Sequence, residues 1–368
     1  MKLKETVSWL MGTVQRTVFP HLEDCLASPL TAQDKRLVKI LELVHIEHYV
    51  PKSASRQWLG RPIKEREAIA RSFVAKAVLG YPHTRSLLHA LRTTATLRAL
   101  CGCATRNDVP SEATFSRAFA ECAACGLATV VHDALVQAHL RTVLIGHVSR
   151  DATAIEGRET PVKKVKQAKA PRKKGRPAKG AQREPTEPKR LDVQRRQSAH
   201  EAIALLPTAC DRGVKKNAKG YTETWNGFKL HVDVNDNGLP LSAILTSASV
   251  HDSQVAIPLM KLTSGKVTSC YDLMEAAYDA RPIWEQSRAL GHVPIIDRNP
   301  RGGATIPMAP HEAQRYNERT ASERFNSRLK EAFGGRNVMV RGAGKVMIHL
   351  MFGVVALFAD QLLKIAGC

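Results

Sequence analysis

Residues 316–335 read YNERTASERFNSRLKEAFGG. Arg319, Glu323 and Lys330 follow Tyr316 by three, seven and fourteen positions. At ~100° per residue these offsets put all four side chains on one narrow stripe of a helix. Ala321, Phe325, Leu329 and Ala332 recur on the opposite face, the apolar stripe by which a helix packs on a core. One face is for packing and the other for charge. The ordinary reading of such a charged face is a set of solvated ion pairs. The spacing of the four residue types points instead to a working surface.

Outward from this helix, the 368-residue chain is long enough for two domains with a full core. Its composition is globular, with 43% hydrophobic, 24% charged and 5% aromatic residues. The net charge of +21 calls for a polyanionic partner. Between Arg158 and Gln197, fifteen Lys or Arg face four acidic residues, so about half of the excess sits in one tenth of the chain. Eight cysteines in a chain of this length do not make a disulfide framework. Cys101, Cys103, Cys122 and Cys125 match no strong zinc spacing, and the last two fall in a helical pattern where cysteine packs as a small hydrophobe. The N-terminal stretch lacks a secretory pattern, so a reduced, cytoplasmic protein is expected. The apolar run 346–365 contains His349, Asp360, Gln361 and Lys364, which are costly in lipid. It is expected as a buried core helix, with no membrane partner.

Residues 1–140 show 3.6-residue apolar spacing in several segments, with Pro51, Pro62, Pro82 and Pro110 falling between them. This predicts an all-helical domain, either a DNA-end reader or a packing domain. The run TVLIGHV (142–148) predicts a buried strand delivering Asp151 at its end. Residues 157–222 hold no Phe, Trp or Tyr before Tyr221 and are rich in Lys, Arg and Pro. Such a segment buries too little apolar surface to offset its ordering entropy, so a disordered basic insertion is expected. Residues 225–234 and 239–248 form a hairpin pattern around Asn235–Gly238. Helix, strand, helix and strand patterns follow through residue 297, before the charged helix.

The Y-x2-R-x3-E-x6-K spacing resembles the signature of bacterial insertion-sequence DDE transposases, whose third catalytic carboxylate is the glutamate, here Glu323. The order of strands and helices is similar to the ribonuclease-H-like α/β core of that family. The resemblance implies a core built from 141–156 and 223–368, preceded by the helical domain and interrupted by the basic insertion. It implies Asp151 as the first carboxylate. In DLMEAAYDA (272–280), Glu275 stands where the family has an aspartate, with Asp272 and Asp279 beside it as alternative ligands. Asp272 would point to the opposite strand face, which leaves Glu275 by position and Asp279 if a helix has begun there. The expected metal set is therefore Asp151, Glu275 and Glu323, with Asp279 as a further candidate. Hard oxygen donors of this kind suit Mg²⁺ or Mn²⁺. Tyr316, Arg319 and Lys330 are implied DNA contacts, and Trp225, Lys229, His251 and Asp252 are candidates near the site or ordinary strand packing. Glu275 and Glu323 are 48 residues apart, too few for the β-rich insertion of many relatives.

Gly175-Arg176-Pro177, within RKKGRPAKG, resembles an AT-hook, so Lys173, Lys174 and Arg176 are implied minor-groove or phosphate contacts. The implied activity is cleavage at transposon ends and transfer of the 3′-OH ends to target DNA. The expected partners are the terminal inverted repeats, target DNA and a second copy of the chain, in the nucleoid. A DNA-binding protein weakened in catalysis and a metal-dependent nuclease are the competing readings.

Overall fold

Helical periodicity stops near residue 140, and there the strands begin. The computed structural model describes residues 29–51, 66–162, 188–216, 220–301, 303–304 and 306–367. Among these residues, six α-helices come first: α1 (Ala32–Val44), α2 (Arg66–Val78), α3 (Thr84–Thr93), α4 (Ala95–Leu100), α5 (Glu112–Cys125) and α6 (Leu127–Leu140). Thr31 and Asp34 form a capping box at the start of α1, and Ser111 caps α5. Gly126, at φ 63°, ends α5 in the left-handed conformation that glycine adopts at least cost and opens α6.

Next comes β1 (Leu144–Glu156), the centre of a mixed sheet. The basic insertion is followed by α7 (Arg190–Arg196), α8 (Ala199–Ala204) and β2 (Asp211–Lys216). Then come β3 (Thr222–Asn235), β4 (Pro240–Ser247), α9 (Ser253–Ser264), β5 (Thr268–Met274), α10 (Arg281–Ala289) and β6 (Val293–Ile296). The strand order is β2-β3-β1-β5-β6, and β4 also pairs with β3. β1 runs antiparallel to β3, with Asp151 opposite Val232, and parallel to β5, with Val148 opposite Asp272. The β3–β4 hairpin closes as expected, with Asn235 Oδ1 accepting the amides of Asn237 and Leu239.

The final elements are α11 (Pro310–Tyr316), a 3₁₀ turn at Asn317–Arg319, α12 (Thr320–Ala332) and α13 (Ala343–Ala366). The four-residue stripe thus spans two helices and the turn between them, not one helix. Tyr316, Asn317, Arg319 and Thr320 all keep right-handed helical angles, so the stripe stays continuous. Ala321, Phe325 and Leu329 are buried on the packing side, but Ala332 is exposed. The chain leaves the helix at Phe333, whose buried ring takes the place expected for Ala332.

Two boundaries differ from the sequence expectation. The expected insertion 157–222 is structured over 190–216. Gln194 is buried and donates to the Gln254 carbonyl, while Lys261 on α9 donates to the carbonyls of Gln194, Arg195 and Gln197 as α7 ends. Leu206 and Ile203 also pack on Val255 and Leu259 of α9, and β2 pairs with β3, so the segment is ordered by its neighbours, which composition does not register. Second, the N-terminal helices do not close a core of their own. Between Leu350 and Ala359 α13 is apolar on all sides, and the helix packs against α1, α2, α5 and α6 as well as β4 and α12. One continuous core therefore joins both regions. Asp360 within α13 is buried but held by Arg36, Arg328 and Lys364, which keep its carboxyl below the usual range once burial is offset.

Beneath β1 lies an ion network. Arg150 is 1% exposed, donates to Asp233 at 2.7 Å and lies 3.6 Å from Asp272. Asp272 also accepts from Ser287 and pairs with His292. Removing one member of a buried ion network strands the others without compensation. Arg150→Leu is therefore expected to cost about 3–5 kcal/mol in chemical denaturation. A loss below about 1 kcal/mol would mean that Asp233 and Asp272 are not charged in the fold.

Candidate active site

Because successive strand residues face opposite ways, Arg150 goes into that network and Asp151 goes to the other side. Asp151 does not end its strand, as expected from the sequence; β1 continues to Glu156. Its Oδ2 accepts from Asn326 on α12 at 3.0 Å. Burial first, with the charges of Glu275 and Asp252, pushes the Asp151 carboxyl up to about 6 against the pull of the Ala152 backbone and Arg319.

Glu275 follows β5 directly and opens a 3₁₀ turn, Ala276–Tyr278. Its carboxyl is raised by burial first; Asp252 and Glu323 add to this, while Arg319 and Lys229 oppose it. Glu323, in the first turn of α12, is 56% exposed and accepts from Arg319 Nη2 at 2.7 Å. Arg319 in turn is held charged by Tyr316, Asp151, Glu323 and Glu275, against its own burial. Three carboxylates from a central strand, a strand end and a distant helix thus share one electrostatic neighbourhood around a single guanidinium.

With that arrangement in place, the family comparison is decisive: the profile of the family described as Transposase DDE domain matches residues 146–359, more than half of the chain. The chain belongs to the Transposase DDE domain family. A second profile, Transposase domain (DUF772), matches residues 25–121. No curated protein and no solved structure matches. The protein is a DNA transposase of the insertion-sequence type, an enzyme that depends on divalent metal and acts on DNA.

Not every sequence candidate of the transposase joins the carboxylates. Asp279 does not. Its Oδ1 accepts from Trp284 Nε1 at 2.9 Å, its Oδ2 accepts the Asn299 amide at 3.1 Å, and Arg298 lies 3.7 Å away. It ties α10 to the loop after β6, because the 3₁₀ turn ends before any helix turns it toward Glu275. Asp272 lies on the opposite side in the Arg150 network, as strand alternation predicts. Lys173, Lys174 and Arg176 lie outside the described residues.

Lys229 and Asp252 do reach the site. Lys229 donates to Asp252 at 2.8 Å, and Asp252 acts on both Asp151 and Glu275. His251 bonds Ser253, and Trp225 donates to the Phe228 carbonyl, so both serve local structure. Two residues escaped the sequence reading. His231 is buried 3.9 Å from Asp252, and burial pushes it down to about 4, leaving it neutral. Tyr278 is buried, its hydroxyl lacks a hydrogen-bond partner, and burial followed by the charges of Asp252, Asp151 and Glu275 raises it well above the tyrosine range. In a strand written LHVDV, nothing separates His231 from core packing. Lys330 is half-buried and pushed down by burial, then by Lys215 and Arg336.

The donor set suits a hard divalent ion. All three ligand candidates are carboxylates; the charge of Glu275 helps to raise Asp151 and that of Glu323 helps to raise Glu275, with Arg319 opposing both and Lys229 opposing the second. The only described trio of metal-capable side chains with ligand atoms all within 4.8 Å is a different one: His45, Glu47 and His48 on the N-terminal region. Among the described residues, the cysteines near residues 101–125 join no such trio.

Proposed function

We propose that the transposase binds its terminal inverted repeats, cuts there and joins the 3′-OH ends to target DNA, with Asp151, Glu275 and Glu323 holding Mg²⁺ or Mn²⁺. The observation carrying this reading is that Glu323 accepts from Arg319 at 2.7 Å while Asp151 and Glu275 lie within electrostatic reach of the same guanidinium. When bound, two such ions activate the attacking oxygen and stabilise the leaving one. The residues of the chain prepare the place. Asn326 orients Asp151, Lys229 restrains Asp252, and Arg319 holds Glu323 back at 2.7 Å. Arg319, which now gives one Nη2 hydrogen bond to Glu323, offers a phosphate a bidentate fork, and Tyr316 and Lys330 extend the same DNA-facing stripe. Lys173, Lys174 and Arg176 add sequence-independent phosphate attraction.

The strand order β4-β3-β1-β5-β6, with three antiparallel strands followed by two parallel ones, supports a ribonuclease-H-like core. Two transposon ends need two sets of carboxylates, so the synaptic complex is proposed as a homodimer, acting in the cytoplasm on the nucleoid. The test is a labelled end duplex carrying flanking DNA, incubated with Mg²⁺ or Mn²⁺ and a target plasmid. The expected result is a cut at the transposon boundary and joining of its 3′ end to the plasmid, both abolished by chelator. Cutting without joining would favour the nuclease reading, and cutting in chelator would sink the metal assignment.

A further inference from the structure

A cavity lined by none of the three carboxylates lies where the N-terminal helices meet the segment after α12. It encloses about 660 Å³. Lys76, Arg85, Arg158, Arg341 and Lys345 line it, against a single carboxylate, Glu112, which Arg85 already holds at 2.9 Å. No carboxylate pairs with Lys76 among the described residues, and burial pushes its ammonium down to about 8. The first turn of α3 also opens here through His83, Thr84 and Arg85, with no side-chain cap on its amides. A helix start adds partial positive charge to the cations. The floor is apolar: Phe73, Phe115, Phe119 and Phe352 pack edge to face or tilted, with centroids 5.1–6.3 Å apart.

An apolar floor beneath a cationic mouth matches a nucleotide, whose base and sugar are less polar than its phosphates. Position favours DNA over a free nucleotide. Phe333, at the end of α12, lines the cavity, and Glu323 lies ten residues earlier on the same element. At ~1.5 Å per residue that is about 15 Å, or about four to five base pairs of a duplex rising 3.4 Å per step. Between them, Lys330 stands within electrostatic reach of Lys215 and Arg336, so cations continue along the path. We propose that this cavity receives an unstacked nucleotide of the end DNA, with its flanking phosphates, about four to five base pairs from the cut bond. The spacing rests on the carboxylates proposed above as the cleavage site; the cavity's affinity for DNA does not.

The experiment uses the full-length transposase and end duplexes carrying 2-aminopurine singly at each position from two to eight base pairs from the boundary. Fluorescence is expected to rise on binding at positions four and five, where the base leaves the stack. Arg341→Glu/Lys345→Glu, which changes two exposed residues, is expected to lose that signal and to bind about 10–100-fold more weakly. The slope of log K against log salt should flatten by about 2 for two lost phosphate contacts. An unchanged melting temperature checks that the variant is folded. Glu323→Ala should keep the fluorescence signal, because the cavity is intact. A signal at another position supports the cavity and displaces the cleavage site. No signal at any position, or unchanged affinity and slope in the double variant, overturns the proposal. So does tight binding of free deoxynucleotides that the double variant loses while its DNA binding is unchanged.

Discussion

Asp151→Asn is expected to reduce strand cleavage by roughly 10³-fold while making the metal-free protein more stable at neutral pH. The loss follows from removing a carboxylate proposed to bind metal, whose charge stabilisation is worth several kcal/mol at about 1.4 kcal/mol per tenfold in rate. The gain follows from proton linkage. Burial holds the Asp151 carboxyl up at about 6 against an ordinary 3.8. The folded chain therefore keeps this proton more tightly than the unfolded chain does. The contribution is fully favourable below pH 3.8 and is lost as pH rises through 6, by about 3 kcal/mol at most. In chelator, wild-type melting temperature should fall relative to the Asn variant between pH 4 and pH 7. Added Mn²⁺ should close that gap for wild type alone. If the two proteins keep a constant difference in melting temperature across this range, Asp151 is not a destabilised carboxylate awaiting a cation.

Glu275 provides the second large effect. Its side chain is one methylene longer than the aspartate that the family resemblance places there, which shifts a ligand oxygen by about an ångström, and a shift of that size can cost ~10²-fold in rate. Glu275→Asp is expected to raise cleavage of a labelled end duplex in Mn²⁺, toward that limit. Glu275→Ala should abolish cleavage with binding intact. Asp279→Ala should act through stability, by about 1–2 kcal/mol, since it loses the Trp284 and Asn299 hydrogen bonds. If Glu275→Asp changes nothing while Asp279→Ala stops cleavage without altering melting temperature, the second ligand is Asp279, and the arrangement around Arg319 is not the working one.

The legible parts of this molecule were those where local spacing carries the physics. The hairpin at Asn235–Gly238 is written in its turn residues. Strand alternation separated Asp272 from Glu275, and helical periodicity separated the packing face of Phe325 and Leu329 from the charged stripe. The same rules missed the 3₁₀ break at Asn317–Arg319, because right-handed helical angles on both sides leave no breaker residue to read. The site was partly legible. Asp151, Glu275 and Glu323 could be named from motif positions and Asp252 as a candidate near them, whereas His231 and Tyr278 could not be placed beside them.

By itself, the sequence determined the periodicities of most helices and strands, the basic excess between residues 158 and 197, and the residue types able to hold a hard cation. Each is a property of residues close together in the chain. Tertiary structure alone decided that α13 completes the core of the N-terminal helices, that α7 and α8 are ordered against α9 and β2 against β3, and that Asp279 is tied up with Trp284 and Asn299. It also decided which carboxylates raise one another. Those outcomes depend on packing and on charges within a few ångströms across long sequence separations, and no local pattern encodes that proximity.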